Sequence, residues 1–425
     1  MKRAALGLVA GICLAGCAPG GGGSAMARNQ GTDITEEAFR QACGLPEVDL
    51  VPWTAERYAE HLPPMDGGLI DAVADPFRTD ADWIRPGAKG ERAAMAKQLD
   101  EWWSAIPAKA GGTVAQDQVG SRFSAVVAAR ILRARLAQLD EPGRAMALAE
   151  ETFDLAWKAF QTAPGTMKSD VMPAVVMAAE SAAQTAAPGT DPAAAASLRK
   201  KLDVSLFRDL AVSLPTDFGV NRIPKLVGQF AQGADLKATA QALDPLGGDE
   251  EGQVASGLKT IWANPNLLDP QATVDSAKAI VDTYRQPPKG FAWFESRYKA
   301  MEGRTVATWG QNMVGIDPSR IDWAKAAIAA KAKNPVGILL LAEVERQWLV
   351  ALESAFVLQM QFDAARIRFQ RAVPSTDDPE PLDPLTGGPY VVDEKANVLR
   401  TTLTGVDPKF IFVNQAVMHG VPLRR

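Results

Sequence analysis

The chain predicts an all-α fold, an irregular helical solenoid or bundle with a small C-terminal β-hairpin or sheet. Three observations predict it. Apolar residues recur at three- and four-residue spacing through nearly every long segment, the period of a helix that buries one face. The intervals carry Pro- or Gly-containing dipeptides that start or stop helices, such as Glu141-Pro142, Pro164-Gly165, Pro188-Gly189 and Pro287-Pro288. Runs rich in β-branched and aromatic residues cluster after Tyr390.

The first residues read as an address. Lys2 and Arg3 precede an apolar stretch over residues 4–15, too short for a bilayer core that needs about 20 residues. It ends in Leu14-Ala15-Gly16-Cys17. This tetrapeptide resembles the lipobox of bacterial lipoproteins at every position. The resemblance implies a signal peptide over residues 1–16, cleavage before Cys17, diacylglycerol on the Cys17 thiol and an acyl chain such as palmitate on the new amine. Two or more chains hold a protein to a membrane where one dissociates. Ala18 stands where inner-membrane relatives in enteric bacteria usually carry Asp, so the resemblance favours the outer membrane in a Gram-negative host. Residues 17–33, with Gly20 to Gly23 in a row, form a flexible tether.

Composition bounds the rest. Removing sixteen of 425 residues leaves about 409, enough for two or three domains at about 150 residues each. The chain is 47% hydrophobic and 22% charged with formal charge −5, and loss of Lys2 and Arg3 takes it to about −7. An acidic chain without a basic stripe excludes nucleic acid as a partner. With Cys13 removed and Cys17 lipidated, Cys43 is left alone and no internal disulfide forms. Cys43 reads as a small buried hydrophobe.

A helical domain is expected over residues 34–375. A short stretch over residues 56–62 ends at His61, before Pro63-Pro64. From residue 117, Val119, Phe123, Val127 and Ile131 share one helix face, with Arg122, Arg130, Arg133 and Arg135 mostly off it. Asp140-Glu141-Pro142-Gly143 breaks that helix, and Met146, Phe153, Trp157 and Phe160 line the next. The two read as an antiparallel hairpin. A helix follows over residues 170–187. Asp191-Pro192 opens an alanine-rich helix running toward Leu214-Pro215. Further helices fall at residues 223–230, 250–262, 270–284 and 319–333.

Asn334-Pro335 opens the strongest element, with Pro335 suited to the first helical position. It continues to about Val373, with Leu340, Val344, Trp348, Leu352, Phe356, Met360 and Ala364 along one face. Glu343, Arg346, Gln347 and Glu353 interrupt it too often for a membrane span. A central buried helix is expected. Residues 376–425 form a proline-rich linker and a small β-containing segment, with strand-like runs at residues 390–392, 398–401 and 410–413 and a turn at residues 393–397.

Two local resemblances follow. Residues 126–163, with the Leu139-Asp140-Glu141-Pro142-Gly143 turn, are similar to a tetratricopeptide-type helical hairpin, and Gln361 to Arg366 with Phe369 and Ala372 look like the second helix of another. No 34-residue period joins them. Asp383-Pro384-Leu385-Thr386-Gly387-Gly388-Pro389-Tyr390 resembles a turn near the end of type II secretion pseudopilins, which implies rigid proline turns delivering Tyr390 into a hairpin.

Residues for chemistry are sparse. With only His61 and His419, a Ser-His-Asp or Cys-His apparatus is not expected. No His-x-x-x-His or Cys-x-x-Cys spacing points to zinc, and no phosphate loop or nucleophile elbow occurs. No catalytic residue, metal or cofactor is therefore assigned. Asp249, Glu250 and Glu251 read as a helix start, and Asp377, Asp378, Glu380 and Asp383 as a solvated linker. Trp102, Trp103 and Trp293 either line a groove or fill gaps between helices. The resulting expectation is a membrane-anchored envelope lipoprotein that acts as a non-enzymatic protein-binding scaffold, with an envelope protein as partner. The alternative is an envelope glycan hydrolase or lyase with paired carboxylates in a helical cleft, favoured if two carboxylates meet beneath one of those tryptophans.

Overall fold

A computed structural model describes Gln41 and residues 53–64, 66–108, 114–187, 190–220, 269–286, 290–309, 334–375 and 378–423. The lipobox and Cys17, the tether, Cys43, the helices expected at residues 223–230, 250–262 and 319–333, and Asp249, Glu250, Glu251 and Asp377 lie outside the described residues. The protein is mostly helical, with a small three-stranded antiparallel sheet near the C-terminus. The chain divides into two units, one of residues 50–210 and 352–425, the other of residues 1–49 and 211–351.

The first of these is built on a three-helix bundle. Its members are α4 (Gln116–Asp140), α5 (Pro142–Thr162) and α6 (Met167–Thr185), which pack most extensively on one another. The shorter α1 (Thr54–Ala59), α2 (Gly67–Ala74) and α3 (Lys89–Ala105) lie against α4. The predicted α4–α5 hairpin is present. Pro142 occupies the first turn of α5, and the Glu141 amide still donates to the Ala137 carbonyl, so the chain reverses within one residue. Val119, Phe123, Val127 and Ile131 of α4 are all fully buried, as are Phe153 and Phe160 of α5, each worth about 1.5–3 kcal/mol against exposure.

Neighbours on more than one side change the reading of the α4 arginines. Arg130 and Arg133, expected mostly off the apolar face, are buried. Arg130 pairs with Glu151 at 2.7 Å, and Arg133 with Asp100 at 2.9 Å and Glu141 at 3.1 Å. Helix periodicity reports one buried face, whereas α4 is wrapped by α1, α3, α5 and α6. Where α4 meets α6 the helices touch at Gly120, where a Cβ would stand 2.7 Å from Asp170 Cβ and 2.8 Å from its carbonyl oxygen.

The single alanine-rich helix expected from Asp191 toward Pro215 is two. α7 (Pro192–Lys201) starts with the Asp191 side chain accepting from the Ala193 and Ala194 amides, and α8 (Leu206–Val220) carries Pro215 inside it. The break between them buries Leu202 and Leu206 and gives Asp203 to Arg366 at 2.7 Å.

α9 (Pro270–Tyr284), α10 (Gly290–Trp309) and the start of α11 (Pro335–Ala372) belong to the second unit. Asn334 has φ +56°, and its side chain reaches α9 rather than serving only as a cap: Oδ1 accepts from the Asp269 amide, and Nδ2 donates to Thr273 Oγ1. Trp348 is fully buried, edge-on to Tyr284 at 4.9 Å. Beside them, Glu345 pairs with Arg297 at 2.9 Å and accepts from the Tyr284 hydroxyl at 3.3 Å.

The remainder of α11 lies in the first unit, where Leu352, Phe356, Met360, Phe362 and Phe369 are fully buried. The sheet follows: β1 (Val391–Asp393) pairs with β2 (Val398–Arg400) in the register Val392 to Leu399, and β2 with β3 (Val421–Pro422). Residues 410–413 do not form a strand. They enter α12 (Ile411–His419), because burial falls on Phe410, Val413 and Ala416, a helical spacing. The buried Glu353 carboxylate of α11 accepts from the Phe412 amide at 3.1 Å, satisfying an otherwise orphaned donor of the first turn. Among the described residues no helix is long and apolar enough to cross a membrane.

Candidate functional site

Beyond α11 the chain turns back along its own helix. The return is strapped down by backbone contacts: the Pro379 carbonyl accepts from Arg366 and from Gln370 Nε2, and the Val373 carbonyl from Arg199. Arg199 also pairs with Asp378, whose Oδ2 accepts from the Ser375 amide. Between this strap, the end of α11 and β1 lies a trough of about 520 Å³. Ile367, Arg371, Pro374, Pro381, Tyr390 and Val392 form much of its wall, with Asp378 and Glu380 beside them.

Tyr390 is fixed from behind. Its hydroxyl donates to Asp363 Oδ2 at 2.7 Å, and Gln359 Nε2 donates to Asp363 Oδ1 at 2.9 Å, while Gln359 Oε1 accepts from the Phe207 amide. Asp363 is buried, and desolvation pushes its carboxyl up to about 7 despite those hydrogen bonds and nearby Arg366. Burial and the adjoining Asp363 push the Tyr390 phenol well above its ordinary value, so it remains a donor. Asp383 is also fully buried, accepting from the Leu385 amide and the Thr386 and Thr401 hydroxyls. The expected solvated linker is thus corrected at two residues. Asp383 organises the turn that delivers Tyr390, and Asp378 latches the strap; Glu380 is exposed as expected. Tyr390 was legible as the end of a proline turn, but its partner Asp363, 27 residues earlier on a helix, was not.

The tryptophans hold packing positions. Trp103 stacks on Tyr58 at 5.4 Å and 9°, meets Trp102 at 5.8 Å, and carries the Arg130 guanidinium 4.3 Å from a ring centroid. The carboxylates nearby, Asp100, Glu141 and Glu151, are held by Arg133 and Arg130. Trp293 lies edge-on to Tyr284, beside the Glu345–Arg297 pair. His61 follows α1, its amide donating to the Tyr58 carbonyl, and His419 ends α12. Among the described residues no group of His, Cys, Asp or Glu is placed to hold a metal ion.

No family model, curated protein or solved structure matches the chain.

Proposed function

We propose that the protein is a lipid-anchored component of the cell envelope that works without catalysis, binding a protein partner through the trough at the end of α11. The observation that carries this reading is the trough's wall. The rings of Pro374, Pro381 and Tyr390 stand beside Ile367 and Val392, with Glu380 and with Arg371, which pairs with Glu394 at 2.7 Å. Such a surface suits an extended peptide segment, which packs on apolar rings and is oriented by a few polar groups. The strap is pinned through its carbonyls and Tyr390 through Asp363, so little ordering remains to be done on binding.

The glycan hydrolase reading is less well supported. It needs two carboxylates working across a scissile bond, and of the two at the trough Asp378 is latched by Arg199. The test is a photo-crosslinking amino acid at position 380 in intact cells. A discrete adduct with an envelope protein is expected, weakened by Arg371→Glu and missing when the crosslinker stands at position 97 on α3. Equal adducts at both positions would refute the reading. So would a glycan-cleaving activity that a folded Glu380→Gln variant lacks.

A further inference from the structure

We propose that α12 is a second, non-covalent contact with the membrane, its outward face entering the boundary between headgroups and acyl chains. The inference rests on the lipid-anchor reading for its geometry of approach.

The helix is nine residues long and exposes three large apolar side chains on its outward side, with Gln415 among them. Val413 and Ala416 are buried inward with Phe410 just ahead of them, so the inward side is already filled. Ile411, Phe412 and Met418 are 59%, 40% and 55% exposed. Ile411, Gln415 and Met418 follow the spacing of one helical face, with Phe412 alongside. These side chains cannot fold inward by rolling the helix, because the Glu353 carboxylate holds its first turn and the Arg400 guanidinium reaches the Met418 carbonyl at 3.4 Å.

Charge favours lipid over another apolar surface. In a chain of formal charge −5, residues 401–425 carry one acid, Asp407, against Lys409, Arg424 and Arg425. Lys409 lies two residues before the helix, over the Phe410 ring, and Arg400, which also pairs with Asp393, lies at its other end. Apolar side chains between cations fit an anionic interface. Thirty-five residues separate Cys17 from Trp53, enough to span on the order of 100 Å when extended. Tethering raises the effective concentration of α12 at the surface above that of a free protein, so the lipidated chain fills this contact more fully than the unlipidated one does.

The test uses the full-length lipidated protein in vesicles of phosphatidylethanolamine and phosphatidylglycerol with brominated acyl chains as quenchers. An environment-sensitive fluorophore is placed on Met418→Cys, or on Lys97→Cys as the control, in a Cys43→Ser background. Quenching and a blue shift are expected at position 418 and not at 97, and Ile411→Ser with Phe412→Ser should abolish them while leaving the thermal melt unchanged. Equal signals at the two positions overturn the proposal. So does a shift at 418 that appears only when other envelope proteins are added, which would assign the face to a protein. Should Cys17 carry no lipid, the anchor reading fails by itself, and the unlipidated chain added to the same vesicles reads α12 directly.

Discussion

Asp363 concentrates the chemistry of the trough in one buried carboxyl. Its value in the folded chain, about 7, lies above the ordinary 3.8. Its contribution to stability is therefore complete below about pH 4 and lost as pH rises through about 7. Burial raises Glu353 to about 7 and Asp170 to about 6, so both act with the same sign. We expect Asp363→Asn to flatten the fall in melting temperature between pH 5 and 8, since Asn still accepts from Gln359 and can donate to the Tyr390 oxygen. An unchanged slope in the variant would show that Asp363 does not titrate in that window. Gly120 makes the opposite kind of demand. In an ordinary helix interior Gly→Ala stabilises by roughly 0.5–1 kcal/mol, but here the new methyl would meet Asp170. Gly120→Ala should instead destabilise by about 1–3 kcal/mol in a denaturant titration, the usual range for overpacking. Nothing local marks that glycine, because its requirement comes from a residue fifty positions later on another helix.

At the scale of elements, period and punctuation were enough to locate α4, α5, α6, α9 and α11. Each has a regular apolar row and a Pro- or Gly-bearing stop, and local pattern decides such segments. α2, α3 and α10 were not located from the sequence, and two further elements were read differently, each for its own reason. The joint between α7 and α8 has neither Pro nor Gly; it exists because Leu202 and Leu206 bury and Asp203 meets Arg366. In α12 the run Phe410 to Val413 has strand-like composition, overridden by a carboxylate supplied from α11. Glu353→Ala should accordingly speed amide exchange at residues 412 and 413 about tenfold or more, equivalent to about 1.4 kcal/mol of lost protection. Unchanged exchange would mean that the helix needs no such cap. The first part of α11 answers to packing. Trp348→Ala removes a fully buried ring seated against Tyr284, and a loss of about 3–5 kcal/mol is expected. A variant that melts like the wild type would contradict that burial.

For the whole molecule, the all-α class with a small terminal sheet followed from periodicity and from where strand-like runs cluster. The trough did not: its wall comes from residues 367–392, but the path of that segment is set by Arg199, distant in the chain, through the Val373 carbonyl and Asp378. The address belongs to this scale too. Cys17→Ala should move the protein from the membrane fraction to the soluble one and abolish labelling by palmitate; a wild type that is soluble and unlabelled would refute the anchor. On the proposed lipid-anchor reading the chain completes its folding on the far side of a membrane, and the bundle's interior is rich in alanines that would pack in several alignments. Three buried or nearly buried guanidinium groups discriminate among them: Arg92 reaches Asp140 from α3, Arg130 reaches Glu151, and Arg133 reaches Asp100 and Glu141. Sliding any of these helices by one turn would part these pairs and leave a guanidinium without its carboxylate. The alanines let the helices approach closely, and the arginines favour the alignment in which each meets its carboxylate.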